Sequence, residues 1–130
     1  MDLRRYPLIA LAACTGDPAD SGAPAGDTSF SAIRDEILLP TCGFSTCHGS
    51  GTGGLTITAE GAYAALVEAP SSISPGDILV IPGDPDGSYL VKKLDGAADI
   101  VGGPMPVGAP LSASDLSRIR TWIAAGAPND

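Results

Sequence analysis

The chain has 130 residues, enough for one domain, with seventeen glycines, twelve prolines, 44% apolar residues and only 5% aromatic ones. Such a chain builds a modest aliphatic core from a few short helices joined by long loops, and at this size a bound cofactor or a covalent staple adds needed stability. The net charge of −8 comes with no basic cluster beyond Arg4-Arg5 and Lys92-Lys93, which excludes the positive footprint of a nucleic-acid binder and favours basic partners.

The N-terminus reads as an export signal. Arg4 and Arg5 form a positive n-region, and Tyr6 to Ala13 a short apolar stretch. That stretch is too short to span a bilayer, which takes about twenty apolar residues. Leu11-Ala12-Ala13-Cys14 is similar to the lipobox of bacterial lipoproteins. The resemblance implies cleavage before Cys14 and lipidation of its thiol; an ordinary signal peptide is the alternative. Residues 15–27 contain no large apolar side chain, so they cannot bury enough surface to offset their ordering and read as a flexible tether. The resulting division is a signal peptide over 1–13, a lipidated tether over 14–27 and a folded domain over 28–130. Loss of Asp2, Arg4 and Arg5 with the signal leaves five basic and fourteen acidic residues, a net −9.

Within the domain, Phe30, Ile33 and Ile37 fall on one helical face, with Thr28 or Ser29 as cap and Pro40 as stop. A second short helix is expected over 59–68, with Tyr63, Leu66 and Val67 inward and Gly61 as its weak point. A third follows the turn Pro82-Gly83-Asp84-Pro85-Asp86-Gly87 and carries Tyr89, Leu90 and Leu94. The last helix is the clearest. Ser112 and Asp115 make a capping box, Leu111 and Leu116 a hydrophobic staple, and Leu116, Ile119, Trp122 and Ile123 a buried stripe ended by Gly126 and Pro128. The expected fold class is all-α, three to four short helices with long Gly/Pro-rich loops. The glycine-rich run 49–54 is not a phosphate loop, because no Gly-Lys-Ser/Thr follows it.

The chemistry is concentrated in Cys42-Gly43-Phe44-Ser45-Thr46-Cys47-His48. Covalent haem attachment uses C-x-x-C-H: two thiols add to the haem vinyls, and the histidine next to the second thiol is carried beneath the iron. Here the spacing is C-x4-C-H, and the two extra residues can loop out. His48 is the single histidine of the chain. Met105, between Pro104 and Pro106, is the one methionine left after signal removal. It is a candidate sixth ligand presented by a stiff loop, or else a gap-filler of the core.

Further segments carry a resemblance: Cys47-His48-Gly49, Gly53-Gly54-Leu55, Ala62 to Leu66, Pro82 to Pro85 with Ser88-Tyr89-Leu90, Lys93-Leu94, Met105-Pro106 and Trp122 to Ala127. In this order they resemble class I cytochrome c, and more closely the planctomycete-type cytochrome c domains of exported bacterial proteins. The resemblance covers residues 30–127. It implies haem c as cofactor, thioethers at Cys42 and Cys47, axial ligation by His48 and Met105, and electron transfer to a redox partner rather than catalysis. The partner is expected to bring a basic docking surface, and the protein to be held by its lipid at the periplasmic or outer face of a membrane.

The competing reading is a haem-free surface lipoprotein that binds a partner, with Cys42 and Cys47 joined in a disulfide, as exported thiols usually are. Zinc takes four Cys or His ligands where three are present, and blue copper two histidines where one is present. With His48 assigned to iron, no nucleophile–histidine set can be assembled. Asp35 and Glu36 read as solvated charges on a helix surface.

Expressed in a bacterium, the chain is expected to fractionate with membranes, and Cys14→Ala to release or mislocalise it. Soluble wild-type protein cleaved elsewhere than at Cys14 would refute the lipobox.

Overall fold

The computed structural model describes residues 24–130. The expected signal peptide, Cys14 and most of the expected tether lie outside these residues. Among the described residues the regular structure is helical, with no sheet and only three isolated bridges, Val67 with Val80, Pro70 with Ile78 and Ile81 with Asp84. No helix among them is long and apolar enough to cross a membrane.

The first helical region starts where the apolar spacing places it. Ser29 is the N-cap of α1 (Phe30–Ile33), its hydroxyl accepting from the Ala32 amide at 3.3 Å. Two further unpaired amides of that end are met by Asp130: its side chain accepts from the Phe30 N–H at 2.7 Å and its carbonyl from the Ser31 N–H at 2.9 Å. Pro40, however, does not stop the helix. A π turn over Arg34–Leu38 leads into α2 (Leu39–Cys42), with Pro40 near the start of α2. The Leu39 N–H bonds the Arg34 carbonyl five residues back, so the hydrogen-bond ladder changes step just before the residue that has no N–H to give. The helical region therefore runs to Cys42 and delivers that thiol at its end.

The second helix is shorter than its sequence pattern suggested. α3 covers Ala62–Leu66, with Gly61 at the N-cap and Val67 already extended. The Thr58 hydroxyl caps the Gly61 amide at 3.1 Å, but residues 59–61 form turns rather than regular helix, and at the other end the chain turns extended at Val67 to pair with Val80. Leu66 is fully buried, while Tyr63 and Val67 pack at the edge of the core. α4 (Tyr89–Asp95) follows the proline-rich turn and closes on Gly96 in the left-handed conformation (φ 67°). α5 (Ala113–Ala124) has Ser112 as its N-cap, accepting from the Asp115 amide at 3.0 Å. The Asp115 carboxylate lies 3.8 Å from the Arg118 guanidinium. Ile119, Trp122 and Ile123 are buried as expected, and Leu111 and Leu116 pack half-buried against the core.

The helices meet in an aromatic cluster. Phe30 lies 5.1 Å from the Tyr63 ring, edge-on, and 5.2 Å from the Trp122 ring. Such contacts add about 0.5–1.5 kcal/mol to the burial of each ring. The polar ends of the two amphipathic rings are satisfied by one stretch of chain: Trp122 Nε1 donates to the Pro128 carbonyl at 2.8 Å and Tyr63 Oη to the Ala127 carbonyl at 2.7 Å. Beside the cluster, Arg118 is almost fully buried. It donates to Glu36 Oε2 at 2.6 Å and to the Asp27 carbonyl at 2.8 Å. Glu36, in the π turn, is exposed as expected and also pairs with buried Arg118 of α5. Asp35 remains on the surface, paired with Arg34.

Phe30→Ala removes two ring contacts and most of a buried side chain. It is expected to destabilise the domain by about 3–5 kcal/mol, read as a lowered urea midpoint at unchanged slope.

Candidate functional site

One large cavity, of about 500 Å3, opens on the side of α4 and is lined by Cys42, Cys47, His48 and Met105 together. The structure thus brings all four sequence-predicted cofactor residues of the described region to one place, although 57 positions separate His48 from Met105. The walls are otherwise mainly aliphatic. Leu38 comes from the π turn, Leu55 and Ile57 from the stretch after His48, Leu79 from the bridge segment, and Leu90 and Leu94 from α4. The size falls within the roughly 300–1,000 Å3 typical of cofactor pockets.

The Cys42–His48 segment shows how the longer spacing is accommodated. The His48 N–H reaches back to the Cys42 carbonyl at 2.9 Å, and the Cys47 N–H bonds the Phe44 carbonyl at 2.9 Å. The intervening residues leave the line of the chain as a closed loop, as expected, with Phe44 more than half exposed at its tip. Gly49 seals the loop: its N–H bonds the Phe44 carbonyl at 2.8 Å, and a Cβ there would stand 2.3 Å from the Gly43 carbonyl oxygen. Only glycine allows that approach.

The glycine-rich run beyond it forms the seat of the imidazole. Gly51, Gly53 and Gly54 all have positive φ (88°, 69° and 76°), which curls a 3₁₀ turn over Thr52–Gly54. The turn aims the Thr52 carbonyl at His48 Nδ1, 2.8 Å away, with the Leu55 carbonyl at 3.3 Å. A carbonyl can only accept, so Nδ1 carries a proton, and in the neutral ring Nε2 is then the nitrogen with the lone pair. Metal-binding histidines are held in this way, one nitrogen fixed by a backbone oxygen and the other left to ligate.

Cys42 and Cys47 are free thiols. Burial pushes the Cys42 thiol above its ordinary pKa, an effect partly opposed by its hydrogen bond with Thr41 Oγ1 at 3.3 Å. Met105 is half-buried against the edge of the core, and its N–H bonds the Lys93 carbonyl at 2.8 Å. Among the described residues no three His, Cys, Asp or Glu side chains cluster to hold a bare metal ion. A haem iron needs no such cluster, since the porphyrin supplies four nitrogens and the protein only the axial ligands. The residues present fit the haem the sequence implies: an imidazole with a free Nε2, a thioether, two thiols and an aliphatic cleft.

Sequence reasoning did not single out Lys93 or Tyr89 as part of this site. Both line the cavity, and both hold the loop that carries Met105. The available signal was their spacing: four residues apart, they share the α4 face that also buries its apolar side chains. Comparison with protein-family models, with curated proteins and with solved structures finds no match to this chain.

Because the thiolate is the nucleophile, the raised Cys42 pKa delays its alkylation. In haem-free protein, Cys42, which packs against the core, is expected to react with iodoacetamide more slowly than the loop thiol Cys47, and to catch up only as the pH is raised. Peptide mass spectrometry over a pH series checks this; equal rates at neutral pH would contradict the buried placement.

Proposed function

We propose that the chain is a small electron-transfer module that carries one covalently attached haem c. The observation that supports this most is the convergence of Cys42, Cys47, His48 and Met105 on one aliphatic cleft, with His48 Nδ1 tied to the Thr52 carbonyl. In this reading Cys42 and Cys47 attach the macrocycle, His48 Nε2 is the proximal ligand and Met105 Sδ the distal one. A haem held there supplies one-electron chemistry, with a potential raised by the soft thioether.

The chain's own residues do the rest. The 3₁₀ turn fixes the imidazole plane and tautomer, and the aliphatic walls exclude water from the cleft, which favours the less charged, reduced state of the iron. A haem held by both His48 and Met105 would have no coordination site left for a substrate, so the proposed role is that of a carrier rather than a catalyst. The cytochrome-c-like fold, the export signal and the lipid anchor at Cys14 belong to the same proposal. Together they describe an electron carrier tethered to the outer or periplasmic face of a bacterial membrane, meeting a redox partner whose docking surface is basic.

The deciding measurement is an absorption spectrum, oxidised and reduced, of protein made with a working haem-attachment system. A c-type spectrum that survives acid–acetone extraction is expected, with a weak sulfur-to-iron band in the near red in the oxidised form. Met105→Ala is expected to lose that band, lower the potential and open the iron to small ligands. Colourless wild-type protein would leave the disulfide-closed interaction lipoprotein as the better reading.

A further inference from the structure

The loop that presents Met105 has no regular structure of its own. From residue 97 to residue 111 the chain forms neither helix nor strand. Its main polar anchor is one buried lysine. Lys93 sits on α4 with only 8% of its surface exposed, and its ammonium donates to the Val101 carbonyl at 2.8 Å and the Gly103 carbonyl at 2.7 Å. Its own backbone carbonyl accepts the Met105 N–H at 2.8 Å. One residue thus grips positions 101, 103 and 105 in turn. One helical turn earlier, Tyr89 Oη accepts the Val101 N–H at 2.9 Å, so both polar groups of Val101 are claimed by α4. The chain bends around the ammonium at Gly102, whose φ of 75° disfavours any side chain.

Burying a lysine is costly unless its charge is answered, and it also freezes about 2 kcal/mol of side-chain entropy. Among the described residues the partners of Lys93 are carbonyl oxygens, with no carboxylate to form an ion pair. An ammonium has three donors in a compact head, which suits it to gather several carbonyls of one loop. Neighbouring Lys92 takes the ordinary course for a lysine and pairs with Asp99 on the surface.

We propose that Lys93 is the positioning residue of Met105: its ammonium and carbonyl, with Tyr89 Oη as second anchor, set where the thioether enters the cavity wall. The identity of Met105 as iron ligand rests on the haem reading above; the clamp itself does not. Amide hydrogen exchange on the full chain as purified, with or without haem, tests the clamp directly. Lys93→Leu is expected to speed exchange at the Met105 amide by about tenfold, leaving the Ile123 amide of α5 unchanged, since loss of charged hydrogen bonds frees the loop alone. Lys93→Arg keeps donors and is expected to restore part of the protection. In haem-loaded protein, Lys93→Leu is expected to keep its covalent haem but lose most of the near-red sulfur-to-iron band. Unchanged exchange at Met105 in Lys93→Leu, or a full band despite faster exchange, overturns the proposal. If Ile123 also exchanges faster, the helix packing has failed, and Tyr89→Phe decides instead: a Val101 amide as protected as in wild type counts against the clamp. Wild-type protein that takes no haem sinks the functional reading, while the exchange pattern still decides the clamp.

Discussion

The contact of Phe30 with Trp122 is the constraint from which the rest of this structure is laid out. It locks the start of the first helical region against α5, and buried Arg118 reinforces the same contact through Glu36. With that end fixed, the direction of the helical region is fixed too, and it delivers Cys42 to the edge of the cavity about three turns later. The aromatic cluster and the cavity thus divide the work of a small domain. One side is closed by ring packing and by hydrogen bonds to residues 127 and 128; the other is left as an aliphatic cleft walled by loops.

Those loops take their order from backbone carbonyls rather than from secondary structure. The Cys42 carbonyl closes the cysteine loop, the Thr52 carbonyl orients His48, and the carbonyls of residues 101 and 103 gather at Lys93. Each needs a glycine nearby, because the chain must approach itself closely or turn with positive φ. Gly49, Gly53 and Gly102 serve those three places. The high glycine content is therefore the means by which a chain with long loops still fixes side chains around a cleft.

The acidic surface and the cleft also stand apart. The side chains that line the cavity include no aspartate or glutamate, although the chain is strongly acidic overall. A redox partner approaching the proposed haem would meet apolar residues such as Val107 and Ile73 at the lip, with the negative charges outside it. In the proposed function, long-range attraction to a basic partner and short-range contact at the cleft would be separate contributions, the first sensitive to salt and the second not.

Much of this was legible in the sequence, for local physical reasons. Caps at Ser29 and Ser112, the apolar stripe of α5 and the turn before α4 depend on neighbours within a few residues, so pattern reading finds them. The adjacency of Cys47 and His48 and the proline-flanked Met105 named the candidate ligands for the same reason. What tertiary structure decided lies where distant groups meet. Pro40 is carried inside a helical region because a π turn shifts the ladder ahead of it, and α3 ends early because Val67 turns extended to pair with Val80. In the sequence Lys93 is set apart from its neighbour Lys92 only by its spacing from Tyr89, because a lysine is buried only when partners elsewhere in the chain answer its charge. Those partners are carbonyls of residues eight and ten positions onward, and a carbonyl, common to every residue, leaves no mark in the sequence.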